Sequence, residues 1–518
     1  MKYCGECLSK LIGVIGSGSA TTYAPLIVYE GSEDIVREES LVLIRDEARN
    51  LTYLGILRYL KRLEPFLNPW QRTSYVDEPS LVDSGTFPHT TGYVYIIGTI
   101  GNDGRLSTPV IPPNPGSKVY LIERADNIRL NLGSGLLIGS HKYSGIEVPL
   151  SYSALRYHIL VVGATGTGKS RLVTALIREV INKSSWNVIV FDHSGLDYVP
   201  FFKEYVVNAS DIVLDPLLIA DNIARVGNVS NDRYLTDYIT LASLTYSLCM
   251  SIKYLEEVPE ELNEIMSKCK RVATECQASQ GEIRGLSSVV DLDKVIDLMA
   301  ISKLTWNRKC FRDLLISIAK SMGARESTLV RLSVITDLWL GDTFFKRLSN
   351  RYLLAKDLIN KVFNDRLIVV DLSNEDNIVR RYIVTYMLKA LWDLIDSERR
   401  EVNTLIVIDE AHNYACRTCK PSVDLIARTA REGRKWGLGL VLVTQRAIDV
   451  DPDIRNNINT VLFSKLQTPS DYENISSFMS LAGLKSEYLM TLDKREFFLA
   501  GLGNPLKIPI LIKVVEVK

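Results

Sequence analysis

The chain has 518 residues, too many for one hydrophobic core, so the length predicts two or three domains. Hydrophobic residues make up 46% and charged residues 24%, which is typical of a globular protein. Lys and Arg total 61, as do Asp and Glu, so a net charge of +0 excludes a broadly basic surface that would coat nucleic acid. A DNA partner would therefore require locally concentrated positive charge, for example in a channel.

The sequence also bears on where the protein works. The apolar stretch near the middle of the chain, 239–250, is shorter than the roughly 20 residues that a bilayer requires. The N-terminus has the early acid Glu6 and no long apolar segment typical of a signal peptide. We expect a soluble, cytoplasmic protein with no membrane partner.

The N-terminal part predicts a small β-barrel over residues 1–125. Short β-type segments separated by turns recur there without long helical patterns. These segments are 11–16, 24–28, 41–44, 93–98 and 119–122.

Beyond the barrel, strand and helix patterns alternate, which predicts an α/β core with a mostly parallel sheet flanked by helices. A hairpin-like stretch over 128–150 leads into this core. The predicted core strands are 158–163, 187–192, 367–373, 404–410, 438–445 and 460–465. We expect the core in two parts, 126–201 and 364–518, separated by an α-helical insertion over 202–363.

The phosphate loop, residues 163–170, matches the pattern GxxxxGK[ST] at every fixed position. It consists of Gly163, Ala164, Thr165, Gly166, Thr167, Gly168, Lys169 and Ser170. An apolar strand precedes it and a helical pattern follows it, as a phosphate-binding loop requires. Lys169 is expected to reach the β- and γ-phosphates, and the Ser170 hydroxyl to bind Mg²⁺. Because the context fits, we reject a chance glycine turn and predict that the chain binds ATP with Mg²⁺.

Polar residues at two strand ends extend this prediction from binding to hydrolysis. Asp409 and Glu410 end an apolar strand, where Asp409 would support Mg²⁺ and Glu410 would polarise the attacking water. Gln445 ends another strand and would sense the γ-phosphate or orient the water. The competing interpretation for these three residues is that of solvent-exposed strand ends.

The segment 428–435 is dense in cations and includes Arg431 and Arg434. One interpretation is a solvated basic helix end, which the helix dipole favours. The other is that one arginine reaches the nucleotide of a neighbouring subunit, a contact worth about 10³–10⁵ in rate.

Four cysteines have the C-x-x-C spacing of zinc sites: Cys4, Cys7, Cys416 and Cys419. The two pairs lie at opposite ends of the chain, so we expect reduced cysteines, with disulfides or a shared zinc site as alternatives. Histidines stand at three strand ends: His158, His193 and His412. We expect them to make local hydrogen bonds and not to bind a metal.

In combination, these motifs resemble the HerA-type hexameric DNA translocases, of the HerA/FtsK branch of RecA-like P-loop ATPases. The segments that carry the resemblance are 12–16 with 19–22, 158 with 163–170, 191–192, 409–412, 430–435 and 443–446. The resemblance implies an N-terminal HAS barrel, a RecA-like core, and a homo-hexameric ring around double-stranded DNA. It also implies ATP-driven translocation or helicase activity in the resection of double-strand break ends, with a NurA-type nuclease as partner.

The resemblance also implies roles for individual residues. Lys169, Ser170 and the catalytic Glu410 match the family's nucleotide site, and Asp192 matches an acid on the next strand. Arg434 resembles the arginine presented to the adjacent subunit, with Arg431 as the alternative. Arg417 resembles a further basic residue of the site.

Two features depart from the family pattern. Tyr157 stands where an arginine often precedes the strand histidine, and Arg156 lies one place earlier. The usual Gly-Glu after the second strand is replaced by Gly195-Leu196, followed by Asp197. Two other functions stay open: a P-loop pump for other cargo, as in conjugation or secretion, and a nucleotide-gated structural ring subunit. The intact residues for hydrolysis disfavour the second.

Overall fold

The computed structural model describes residues 9–64, 67, 70, 89–287 and 291–516, with the backbone alone at 284–287. Cys4 and Cys7 lie outside the described residues. The strands are β1 Lys10–Ile15, β2 Tyr23–Val28, β3 Leu41–Asp46, β4 Leu51–Leu63, β5 His89–Ile100, β6 Leu106–Ser107, β7 Lys118–Leu121, β8 Gly139–His141, β9 Ile159–Val162, β10 Asn187–Asp192, β11 Val206–Asn208, β12 Leu367–Asp371, β13 Thr404–Ile408, β14 Leu438–Thr444, β15 Thr460–Phe463, β16 Glu496–Gly501 and β17 Ile510–Val514.

The helices follow the alternation that the sequence predicts, with most of them between β11 and β12. They are α1 Ser153–Arg156, α2 Lys169–Lys183, α3 Pro216–Val226, α4 Arg233–Lys253, α5 Asn263–Glu275, α6 Gln280–Ser287, α7 Leu292–Ser302, α8 Arg308–Ser321, α9 Glu326–Val334, α10 Gly341–Leu348, α11 Ala355–Asp365, α12 Asn377–Glu398, α13 Ser422–Glu432, α14 Pro452–Arg455, α15 Pro469–Phe478 and α16 Ser486–Leu489. Within the described residues, no helix combines the length and the apolar character needed to cross a membrane.

The chain forms two compact units. The first unit comprises Met1–Ser185 and Gly439–Lys518, and the second comprises Trp186–Leu438. The first unit begins with a closed six-stranded barrel in the order β2-β1-β7-β3-β4-β5, which β5 closes by pairing with β2. Alternate residues of β2 (Ala24, Leu26 and Val28) point into its apolar core. The predicted barrel is thereby confirmed as part of the fold.

Strand β4 was not among the predicted barrel strands. Its leucines recur every third residue from Leu51 to Leu60, a spacing typical of a helix rather than of a half-buried strand. In the structure the register of β4 against β5 shifts twice, and Tyr59 has a positive φ of 57°. These irregularities change which face each side chain occupies, so the buried residues of β4 do not alternate.

The rest of the first unit builds one part of the α/β sheet. Strand β9 lies between β14 and β15 and is parallel to both. Strands β16, β17 and β8 then continue from β15 with antiparallel pairing. The hairpin-like stretch over 128–150 is confirmed by two antiparallel bridges, Leu136 with Leu150 and Ser140 with Glu147.

The second unit contains four parallel strands in the order β11-β12-β10-β13. Helices α3 to α11 lie between β11 and β12 in the chain, so the predicted helical insertion is present in the fold. The short strand β11 falls inside the interval predicted to be helical. With three residues, it is too short to give a recognisable alternating pattern.

The prediction of reduced cysteines is wrong for Cys416 and Cys419, which form a disulfide. Because both sulfurs are consumed in that bond, this pair does not bind zinc in the structure. Two further disulfides join helices of the insertion, Cys249–Cys269 and Cys276–Cys310. These four cysteines lack a metal-type spacing, and their pairing depends on how the helices pack.

Candidate functional site

The phosphate loop lies in the first unit, between strand β9 and helix α2. All four residues of β9 are buried, and the strand delivers the loop to the carboxyl edge of the sheet. Gly166 and Gly168 have φ angles of 81° and 101°, which glycine adopts without strain. Helix α2 begins at Lys169, so its first backbone N–H groups and its positive dipole end face the loop. This arrangement forms an anion-binding site.

Two side chains fix the loop from inside. The Lys169 ammonium donates to the carbonyl oxygens of Gly163 and Ala164, at 2.8 and 3.2 Å. The Thr165 hydroxyl donates to Oε1 of Gln445 at 3.2 Å, which places Gln445 at the end of β14 against the loop. The structure therefore brings Gln445 and the phosphate loop together, as their predicted roles require.

Arg495, which the sequence analysis did not single out, also contacts this loop. Its backbone N–H donates to the carbonyl of Thr167 at 2.8 Å, and its guanidinium pairs with Glu516 at 2.9 Å. Arg495 has a positive φ of 67°. A Cβ on Gly168 would lie 3.1 Å from its side chain. A lone arginine before a strand gives no sequence signal for such a contact.

The acids that follow β13 lie in the second unit. Asp409 is 4% exposed, and burial followed by the charges of Asp197, Glu410 and Asp192 raises its pKa well above the usual range. Glu410 adopts a left-handed conformation with φ 45°, and Oε2 of its carboxylate lies 3.3 Å from Nδ1 of His412. A strained backbone and a buried acid at one strand end are typical of functional sites.

Asp192, at the end of β10, shapes the loop that follows it. One carboxylate oxygen accepts the backbone N–H groups of Ser194 and Gly195, and the other accepts those of Tyr198 and Val199. Four backbone donors on one buried carboxylate fix the path of residues 193–199. Asp192 is thus anchored to its own loop, and its predicted contact with nucleotide stays a prediction.

The three histidines make hydrogen bonds, as expected, and Nε2 of His412 accepts the side-chain amide N–H of Asn413 at 3.2 Å. In the first unit, His158 accepts the Leu440 N–H at 3.1 Å. In the second, the guanidinium of Arg380 donates to Nε2 of His193 at 2.8 Å, so Nδ1–H donates to the Tyr414 hydroxyl at 2.8 Å. Burial, with the charges of Arg380 and His412, lowers the pKa of His193 to about 4, so the ring is neutral at pH 7.

The cationic segment 428–435, at the C-terminal end of α13 and directly after it, contains both anchored and exposed arginines. Arg428 stacks on the Trp392 ring at 3.9 Å, and the indole N–H of Trp392 donates to Thr429 at 3.1 Å. These contacts fix α13 against α12. Arg431 and Arg434 lie beyond this anchor and are exposed, as is Arg417 in the Cys416–Cys419 disulfide loop. Their exposure fits groups that act on another molecule or subunit.

A family model matches the middle of the chain. Residues 136–391 match the model described as Helicase HerA, central domain. Over these residues, just under half of the chain, the sequence matches the HerA family. The matched region includes the phosphate loop and Asp192 and ends before Asp409.

Curated relatives carry the same name over longer spans. The DNA double-strand break repair helicase HerA of Sulfurisphaera tokodaii is 26% identical over 423 residues, 80% of this chain and 75% of the relative. The HerA of Saccharolobus solfataricus is 25% identical over 511 residues, 96% of this chain and 91% of the relative. Among solved structures, VirB4 of Thermoanaerobacter pseudethanolicus matches with a TM-score of 0.47 and 16% identity, over 75% of this chain and 98% of that one.

Proposed function

We propose that this protein is an ATP-driven translocase or helicase on double-stranded DNA, acting in the repair of double-strand breaks. The match to the HerA family carries the proposal, together with relatives named as repair helicases along most of their length. The anion-binding loop and the acids after β13 supply the groups that ATP hydrolysis requires.

The residues of the phosphate loop bind the triphosphate. The backbone N–H groups of Thr165, Gly166 and Gly168 face the phosphates, whereas those of Gly163, Ala164 and Thr167 already donate to carbonyl oxygens and hold the loop in shape. Lys169 exchanges its two carbonyl partners for phosphate oxygens. This exchange keeps the ammonium hydrogen-bonded in both states. Gln445, hydrogen-bonded to Thr165, orients the attacking water or senses the γ-phosphate.

The acids of the second unit support the chemical step. Glu410 polarises the attacking water, with the His412 ring 3.3 Å from its carboxylate. Ser170 and Asp409 would hold Mg²⁺, and the Asp409 oxygen Oδ2, which is buried without a hydrogen-bond partner among the described residues, fits that task. When bound, Mg²⁺ neutralises charge on the phosphates. Asp192 supports these groups by fixing its loop.

The active assembly is a homo-hexameric ring in which six subunits concentrate cationic loops in one channel. Such a channel would give a chain with net charge +0 a local region of positive charge to which DNA can bind. Arg434, with Arg431 as the alternative, completes the nucleotide site of the adjacent subunit, and Arg417 is a further basic residue of that site. A NurA-type nuclease is the partner in end processing.

Two substitutions separate nucleotide binding from hydrolysis. Glu410→Gln should keep ATP affinity and lower turnover by about 10²–10⁴, because only the group that polarises water is lost. Lys169→Ala should weaken ATP binding itself, because the cation facing the phosphates is removed. Binding of a fluorescent ATP analogue and phosphate release measure the two effects separately. Glu260→Gln, on the insertion surface, is the matched control. Normal turnover in Glu410→Gln would contradict the assignment of Glu410.

A further inference from the structure

Three carboxyl groups of the second unit form an acid cluster at the carboxyl ends of β10 and β13. The cluster consists of Asp192, Asp197 and Asp409, and one oxygen of each lies within 4.8 Å of the others. Asp192 and Asp409 are buried, and Asp197 is half-buried. Placing carboxylates this close together away from water is costly unless a proton or a cation compensates their charge.

The members of the cluster differ in how they are held. Asp192 accepts four backbone N–H groups and is therefore fully used in shaping its loop. That loop turns Asp197 back toward the strand ends, where one Asp197 oxygen accepts the Ser194 hydroxyl at 2.9 Å. Asp192 thus positions Asp197 opposite Asp409.

Two buried polar atoms beside this arrangement lack a hydrogen-bond partner among the described residues. They are Oδ2 of Asp409, in a residue that is 4% exposed, and the hydroxyl of Tyr198, in a residue that is 0% exposed. Leaving such atoms unsatisfied costs about 1–3 kcal/mol each. An unpartnered buried carboxylate oxygen beside two other carboxyl groups is a ligand position for a cation.

We propose that Asp197 and Asp409 together bind a divalent cation, with Asp192 as the residue that positions Asp197 and the Tyr198 hydroxyl beside the site. Carboxylate oxygens are hard ligands, so Mg²⁺ or Mn²⁺ is the class of ion that fits. One divalent charge would compensate both ligand carboxylates. All of these groups belong to the second unit, so the site binds its cation without nucleotide.

The inference rests on the proposed function in one respect, the assignment of Asp409 to the Mg²⁺ of ATP. Asp197 is the new ligand. The replacement of the family's usual Gly-Glu by Gly195-Leu196, with the acid one place later at Asp197, thereby has a chemical role. The alternative is that no cation binds and that Asp197 and Asp409 share a proton, as closely spaced carboxyl groups often do.

The test is a titration of the full-length, chelator-treated and nucleotide-free protein with Mn²⁺, followed by the electron paramagnetic resonance signal of the free ion. The wild type should bind one Mn²⁺ per chain in the millimolar range or tighter, and Mg²⁺ should compete. Asp197→Asn should weaken this binding about tenfold or more. Glu204→Gln removes an exposed acid close by in the chain and should leave binding unchanged.

The proposal is overturned if the wild type binds no Mn²⁺ at millimolar concentration, or if Asp197→Asn binds it as the wild type does. The wild-type titration decides the matter even if that variant does not fold, and Tyr198→Phe offers a milder change beside the site. If the wild type binds no Mn²⁺ but shows DNA-stimulated ATP turnover, only the cation site is refuted. If the wild type binds Mn²⁺ but its ATP turnover does not respond to DNA, only the proposed function is refuted.

Discussion

Two buried charge clusters, one in each unit, differ in whether opposite charges and hydrogen bonds compensate their charged groups. In the first unit, the guanidinium of Arg58 makes two hydrogen bonds to Glu39 and donates to the carbonyls of Leu481, Ala482 and Pro509. In the second unit, the acid cluster around Asp409 gathers like charges and leaves Oδ2 of Asp409 without a hydrogen-bond partner among the described residues. The first cluster stabilises the fold, whereas the second keeps a costly group available for a ligand.

The Arg58 cluster also connects the barrel to the C-terminal part of the same unit. Arg58 lies on β4, whereas Leu481 lies between α15 and α16, and Pro509 directly precedes β17. Burial raises the pKa of Glu39, while the charge and hydrogen bonds of Arg58 act in the opposite direction. The pair is therefore a fold-stabilising contact only as long as both partners are present.

The largest effect should come from breaking this satisfied cluster. Arg58→Ala leaves Glu39 buried without its cation, and we expect a loss of about 3–5 kcal/mol in the free energy of unfolding. Lys118→Ala, which removes the exposed pair with Glu47, is the matched control and should cost at most about 1 kcal/mol. Chemical denaturation measures both. Equal losses of stability in the two variants would show that the buried Arg58 cluster contributes no more to stability than an exposed ion pair.

Acid should destabilise the first unit through His141. Burial lowers the pKa of His141 to about 4 from 6.5, and the hydrogen bond between its ring and the Glu39 carbonyl opposes this shift only in part. Between these pH values the unfolded chain binds the proton more tightly, so stability falls as pH falls from 6.5 toward 4, by about 3 kcal/mol. Thermal unfolding of the wild type and His141→Gln across this range should show a shallower loss in the variant. Parallel curves would contradict this assignment.

The smallest effect should be a gain in stability, opposite in sign to the loss expected for Arg58→Ala. Asp409→Asn replaces a buried carboxyl group, which without a cation must at some cost either stay ionised or take up a proton, with a neutral amide. Without divalent cations we therefore expect a gain of about 1–2 kcal/mol in stability, together with loss of ATP turnover. Asp192→Asn is the control, because its oxygens accept backbone N–H groups and its loss should destabilise by about 2–3 kcal/mol. Unfolding in the presence of a chelator measures both. If Asp409→Asn destabilised the protein as Asp192→Asn does, the contrast between the clusters would fail.

The parts that could be predicted from the sequence are those whose residues are contiguous. The phosphate loop and the Asp409-Glu410 pair each combine a buried strand with the candidate residues directly after it, so the local pattern was sufficient to place these residues at the strand ends. The same holds for the barrel strands with regular alternation, such as β2.

The parts that the sequence could not predict depend on distant contacts. Strand β4 has helix-like leucine spacing, and its pairing with both β3 and β5 holds it extended. Arg58 meets Leu481 across 423 residues, and the insertion disulfides depend on helix packing. In the sequence, Asp197 stands out only as part of a departure from the family pattern. Its proximity to Asp409 depends on the loop that Asp192 shapes.

The most direct test of the account is the ATP turnover of the full-length protein with and without duplex DNA, repeated at increasing salt. We predict that duplex DNA raises turnover several-fold and that the stimulation disappears as salt weakens the contacts to phosphates. Glu410→Gln should show no turnover in either condition. Turnover that is identical with and without DNA at every salt concentration would contradict a DNA translocase and favour a pump for other cargo.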